Sequence, residues 1–94
     1  MTPEEFLHLK AFKDLLDDTI NGLSNATSQA TLASAAEEYS GRWREADDDF
    51  ADILDGIKKQ AWSMPYVQAR MVSQKVVEHL AATRDGVAAQ LKRG

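Results

Sequence analysis

Residues 32–57 read LASAAEEYSGRWREADDDFADILDGI, and within them Leu32, Ala36, Tyr39, Trp43, Ala46, Phe50, Ile53 and Ile57 follow one another at alternating steps of four and three. An apolar repeat of about 3.5 residues holds one helix face against a neighbouring helix, so the stretch predicts a long helix with a coiled-coil type of seam. Gly41 and Gly56 keep the register but each costs about 1 kcal/mol relative to alanine. Ser40-Gly41 is where a break would fall. The expectation is one helix over about residues 30–60, or two if Ser40-Gly41 divides it.

On the C-terminal side, Trp62-Ser63-Met64-Pro65 reads as a short connection. The residue before a proline is held out of the helical region, and Ser63 can help cap the next helix. Ala69, Val72, Val76, Leu80, Thr83, Val87 and Leu91 then recur at helical spacing, flanked by Tyr66 and Val77, and predict a helix over about 65–92. Lys92-Arg93-Gly94 ends it with charges that complement a helix dipole, although Asp85-Gly86 is an earlier stop signal. On the N-terminal side, Ser24 to Gln29 reads as a turn. Before it, Phe6, Leu9, Phe12, Leu16 and Ile20, joined by Leu15 and Leu23, mark a helix over about 3–22. Thr2 as N-cap, Pro3 at the first position and Glu5 at the third form a capping box, and Asn21-Gly22 supplies a left-handed stop. The expected fold is all-α: a single domain over residues 1–94, forming a three-helix bundle, or a four-helix one, built on a long antiparallel helical hairpin.

The chain has 94 residues, 44% apolar and 28% charged, which suits one small globular domain. It has no cysteine, which excludes a disulfide scaffold, a thiolate zinc site and a cysteine nucleophile. Fifteen acidic residues against eleven basic ones leave a net charge of -4. That balance disfavours phosphate backbones and anionic membranes, and favours a protein partner with a basic or apolar surface. Met1-Thr2-Pro3-Glu4-Glu5 has neither the positive nor the apolar region of a signal peptide, so the expected compartment is the cytoplasm.

Helix lengths point to a contact surface. The first helix would run roughly 30 Å and the other two about 40 to 45 Å each, so the hairpin overhangs a compact monomer. The overhang would hold Ile53, Leu54, Ile57, Trp62, Tyr66, Val67 and Met71, a patch larger than monomers usually expose. The expectation is a tip buried in a homo-oligomer or in another protein, with Trp43 in the core. A tip closed by its own Trp62 and Tyr66 is the alternative.

Glu45, Asp48, Asp49, Asp52 and Asp55 concentrate negative charge on the middle segment. They read either as a solvated face partly neutralised by Arg70, Lys75 and Arg84, or as a ridge that docks a basic partner. Glu5-Phe6-Leu7-His8 is a Glu-x-x-His pair, of which di-iron bundles use two. A dimer could supply the second, so a dimeric ligand or metal binder around Glu5 and His8 is the alternative function. No Gly-x-Ser-x-Gly elbow, phosphate loop or dinucleotide fingerprint occurs, and no cofactor or enzymatic activity is expected. Arg42, Arg44 and the Lys92-Arg93 tail are scattered among acids, which disfavours nucleic acid.

A cysteine-free helical chain with a tryptophan at a hairpin turn superficially resembles the WXG100 class of type VII secretion substrates, which would imply a secreted helical hairpin. Trp62-Ser63-Met64 carries methionine where that class has glycine, an extra helix precedes the hairpin, and no tyrosine-based export motif comes after the third helix. The function expected from the residues is a small non-enzymatic interaction module. It would self-associate and bind or occlude a larger protein, as a phage-type inhibitor or accessory protein would.

Overall fold

A computed structural model describes residues 1–93; Gly94, the last residue of the expected basic tail, lies outside the described residues. The chain forms four helices, α1 (Pro3–Ser24), α2 (Gln29–Arg44), α3 (Asp48–Ser63) and α4 (Tyr66–Arg93). The fold is an all-α bundle, without a strand among the described residues. No helix is long and apolar enough to cross a membrane among those residues.

Local chemistry sets most of the ends. Thr2 is extended and its hydroxyl accepts from the Glu5 backbone N–H at 3.2 Å, with Pro3 at the first helical position. Ser28 and Thr31 form a reciprocal capping box that starts α2. Met64 is extended before Pro65, as the proline requires. The expected stop at Asn21-Gly22 does not occur: α1 runs through Gly22, and no described residue has positive φ. Gly22 is needed for close approach instead, because a Cβ there would overlap the Tyr39 ring. That ring also meets the Arg42 guanidinium at 5.1 Å, and Arg42 reaches back to Asp18 at 3.1 Å.

The predicted helix over 30–60 is divided, but at Glu45–Asp47 rather than at Ser40-Gly41. Asp47 leaves the helical region at φ -158° and ψ 111°, and its carboxylate accepts from the N–H groups of Asp49 and Phe50 at 2.9 and 3.3 Å. In one continuous helix Asp47, Asp48 and Asp49 would sit mid-span. As cap and first turn of a new helix they meet the positive end of its dipole, while Arg42 and Arg44 occupy the last turn of α2. The heptad spacing is indifferent to this exchange, since Trp43 and Phe50 still face the core from either side of the break.

The break turns α3 back along α2. Ser40, buried on α2, donates its hydroxyl to Asp55 on α3, with the Ala51 carbonyl 3.3 Å away. Lys58 pairs with Glu37 at 3.2 Å. The α2–α3 hairpin packs on an α1–α4 pair, with α1 beside α2 and α3 beside α4, giving an up-down-up-down order. Tyr66 donates its hydroxyl to the Ala26 carbonyl at 3.0 Å, which places the α3–α4 corner beside the α1–α2 connection. Farther along, Arg84 reaches Asp17 at 3.4 Å.

The core runs through Leu16, Leu23, Leu32, Ala36, Leu54, Ile57, Ala69, Val77 and Leu80 and is anchored by Trp43, which is fully buried. The Trp43 ring meets Phe12 edge-on at 5.2 Å and Phe50 at 4.7 Å. Its indole N–H donates to the buried Thr19 hydroxyl at 2.9 Å, and that hydroxyl donates to the Leu15 carbonyl at 2.7 Å. Every side-chain polar atom of this pair therefore has a partner, as burial demands.

Unequal helices make an elongated molecule of 46 × 21 × 18 Å. The 28 residues of α4 span roughly 42 Å, against sixteen in each of α2 and α3. The overhang lies at the other end from the one expected. Glu45 and Ala46 of the α2–α3 turn sit against His8, Ala11, Phe12 and Leu15. The first turns of α1, with Phe6 and Leu7 exposed, run past them.

Candidate functional site

The seven residues expected at the hairpin tip separate into three groups by exposure. Leu54 and Ile57 are 1% and 2% exposed, because α3 folds onto α2 and carries them into the core. That corrects their expected place at an uncovered end. Trp62, Val67 and Met71 are 60%, 71% and 62% exposed, and Ile53 is 37% exposed. Tyr66 is half-buried with its hydroxyl committed to Ala26. Trp62 lies with Asp55, Lys58 and Lys59 along one face of α3, while Val67 and Met71 are one helical turn apart at the start of α4.

Three of the acidic residues of α3 are held by a cation from α2. Arg44 donates to Asp48 at 3.3 Å, Asp52 at 3.0 Å and Asp55 at 2.7 Å. The hydrogen bond to Asp52 leads in holding the Arg44 guanidinium above its usual range. The Ser40 hydroxyl, and then the charge of Arg44, hold the Asp55 carboxyl below the usual carboxylate range. Arg70, Lys75 and Arg84, the expected neutralising residues, make no ion pair with this stripe; Arg84 turns to Asp17 and Asp85. Glu45 and Asp49 are exposed and without an ion pair among the described residues.

Glu5 and His8 lie exposed on the first turns of α1. No group of three or more His, Cys, Asp or Glu side chains converges as a metal site among the described residues. The His79 ring lies 6.3 Å from the Phe50 ring, centroid to centroid.

Two features lie outside the expectations from sequence. One is the α1 face carrying Leu7, His8 and Ala11, which continues to Leu15 and the α2–α3 turn. Its signal is present in the four-residue steps from Leu7 to Ala11 to Leu15, beside the stripe that runs from Phe6 to Ile20. The other is a cavity of about 150 Å³ between the end of α1, the start of α2 and the first turns of α4. Leu23, Ala26, Leu32 and Val77 line one part of it, and Ser24, Tyr66, Arg70, Ser73 and Gln74 the other. Nothing in the sequence pairs these residues, because they come from three helices and the connection between α1 and α2. No protein family, no curated protein and no solved structure matches this chain.

Proposed function

We propose that the chain is a non-enzymatic helical interaction module that self-associates through the corner between α3 and α4. The observation that carries this reading is the exposure of Trp62, Val67 and Met71, three large apolar side chains on the last turn of α3 and the first turns of α4. Tryptophan and methionine are enriched in protein contacts, and tryptophan is prominent among residues that dominate binding energy. Water contact at three such groups is a cost that a partner surface removes. Glu45 and Asp49, left free of Arg44, offer charge to a larger partner with a basic surface, and a cytoplasmic setting belongs to the same proposal.

Mass measurement by light scattering during size exclusion, at several loading concentrations and two salt levels, tests it. Wild type is expected at a multiple of 10.4 kDa, and a Trp62→Ser, Met71→Ser chain at the single mass. Both changes fall on exposed positions, so the far-ultraviolet helix signal should persist. A wild-type monomer at every concentration, or a double variant that assembles like wild type, refutes self-association at this corner.

A further inference from the structure

The cavity between α1, α2 and α4 combines three properties that the interaction reading leaves unused. Its first property is a cation without a counter-charge. Arg42, Arg44 and Arg84 each hold a carboxylate. Arg70 holds none among the described residues, and donates only to the Tyr66 hydroxyl at 3.2 Å. Because Tyr66 in turn donates to the Ala26 carbonyl, Arg70 is oriented by a fixed chain of donors and keeps further N–H groups open. The second property is Ser73. It is 3% exposed and lines the cavity, so its hydroxyl is a polar group at the cavity wall. The third is size and wall chemistry. About 150 Å³ is the volume of a cavity that accommodates a benzene-sized molecule; its open lining is mostly polar, with the buried Leu23, Ala26, Leu32 and Val77 supplying a smaller apolar part.

We propose that this cavity binds a small organic monocarboxylate of up to about six heavy atoms, a size set by the enclosed volume. The guanidinium takes the carboxylate through charge-assisted hydrogen bonds, Ser73 and Gln74 donate to its oxygens, and the short alkyl chain lies on the Leu23, Leu32 and Val77 wall. A compact inorganic anion would satisfy the cation and leave that wall wet. A neutral amide of the same shape would fill the volume and leave the cation unpaired.

Titration of the full chain with butyrate, read by backbone amide shifts, tests the assignment, with butanamide and inorganic phosphate as comparison probes. The amides of Ser24, Ala26, Ser73 and Gln74 should shift together and saturate, with a dissociation constant of the order of 1 mM, as so few atoms allow. Butanamide should bind about 10-fold more weakly or worse, and Arg70→Gln should weaken butyrate by about 10-fold or more, the loss expected for a hydrogen bond to a charged group. Ser73→Val, which fills the volume with apolar atoms, should abolish the shifts without lowering the melting temperature. Absence of saturation up to about 100 mM butyrate, a concentration that would reveal even inefficient binding, overturns the proposal. So does an Arg70→Gln chain that binds like wild type. Phosphate binding as tight as butyrate overturns the carboxylate assignment, because the apolar wall would then contribute nothing.

Discussion

Replacing Asp47 with alanine removes the group that divides the heptad segment into two helices. Its carboxylate accepts from two N–H groups, at 2.9 Å from Asp49 and 3.3 Å from Phe50. Loss of an N-cap side chain to alanine costs about 0.5 to 2 kcal/mol, commonly about 1. The charge of Asp47 near the positive end of α3 adds about 0.3 kcal/mol, the low end of its range, because Asp48 and Asp49 remain in the first turn. The two effects together come to about 1 to 2 kcal/mol, which for a domain of this length lowers the melting temperature by about 5 to 15 °C. Urea unfolding in a Trp62→Phe background is the assay, since the emission then comes from the fully buried Trp43. The midpoint should fall with an unchanged slope, because the folded topology is retained. Asp47→Asn keeps the acceptor and should stay within about 0.5 kcal/mol of wild type. An alanine variant as stable as wild type, or an asparagine variant as weak as alanine, would show that the break is held by packing of Trp43 and Phe50 and not by the cap.

Thr19→Val preserves side-chain shape while leaving the Trp43 indole N–H buried without an acceptor, and should cost about 1 to 3 kcal/mol; Thr19→Ser, which keeps the oxygen, should lose much less in the same urea assay. Asp17 and Asp55 have folded-state pKa values lowered from 3.8, Asp17 chiefly by its hydrogen bond from Lys13 and Asp55 by the one from Ser40. A lowered carboxylate pKa contributes stability that is complete above the unfolded value and is lost as pH falls through the folded one. The melting temperature should therefore be level from neutral pH down to about 5 and decline below about 4. Carbon NMR of Ser40→Ala should show Asp55 titrating closer to its ordinary range while Asp17 is unmoved, and an unmoved Asp55 would remove the hydroxyl from the account.

The sequence carried the helical class, the start of α1 and the α3–α4 connection because each rests on short-range chemistry. Thr2 and Pro3 set the first helix end within three residues, and Pro65 constrains Met64 directly. The division at Asp47 was hidden because an apolar period reports only which residues face inward, and Ala46 to Phe50 keeps the step of four across the turn. Its signal was electrostatic: basic residues at 42 and 44 followed by three acids, the charge order of one helix ending and another beginning. Missing that division moved Leu54 and Ile57 outward and placed the overhang at the wrong end. Trp62, Val67 and Met71 kept their exposure because they lie at the corner, where the error in helix length does not reach. The Arg70 and Ser73 cavity was illegible in principle, since no local pattern encodes which turns of α1, α2 and α4 share a level.

The contact between Gly22 and Tyr39 also limits how this chain can change in evolution. Any side chain at position 22 displaces the tyrosine ring, and with it the Arg42 that stacks on that ring and ties Asp18 to α2. A mutation at one of these four positions thus alters the selection on the other three. A larger residue at position 22 is accommodated only if the ring of residue 39 moves or shrinks, so the two sites are coupled although seventeen positions separate them.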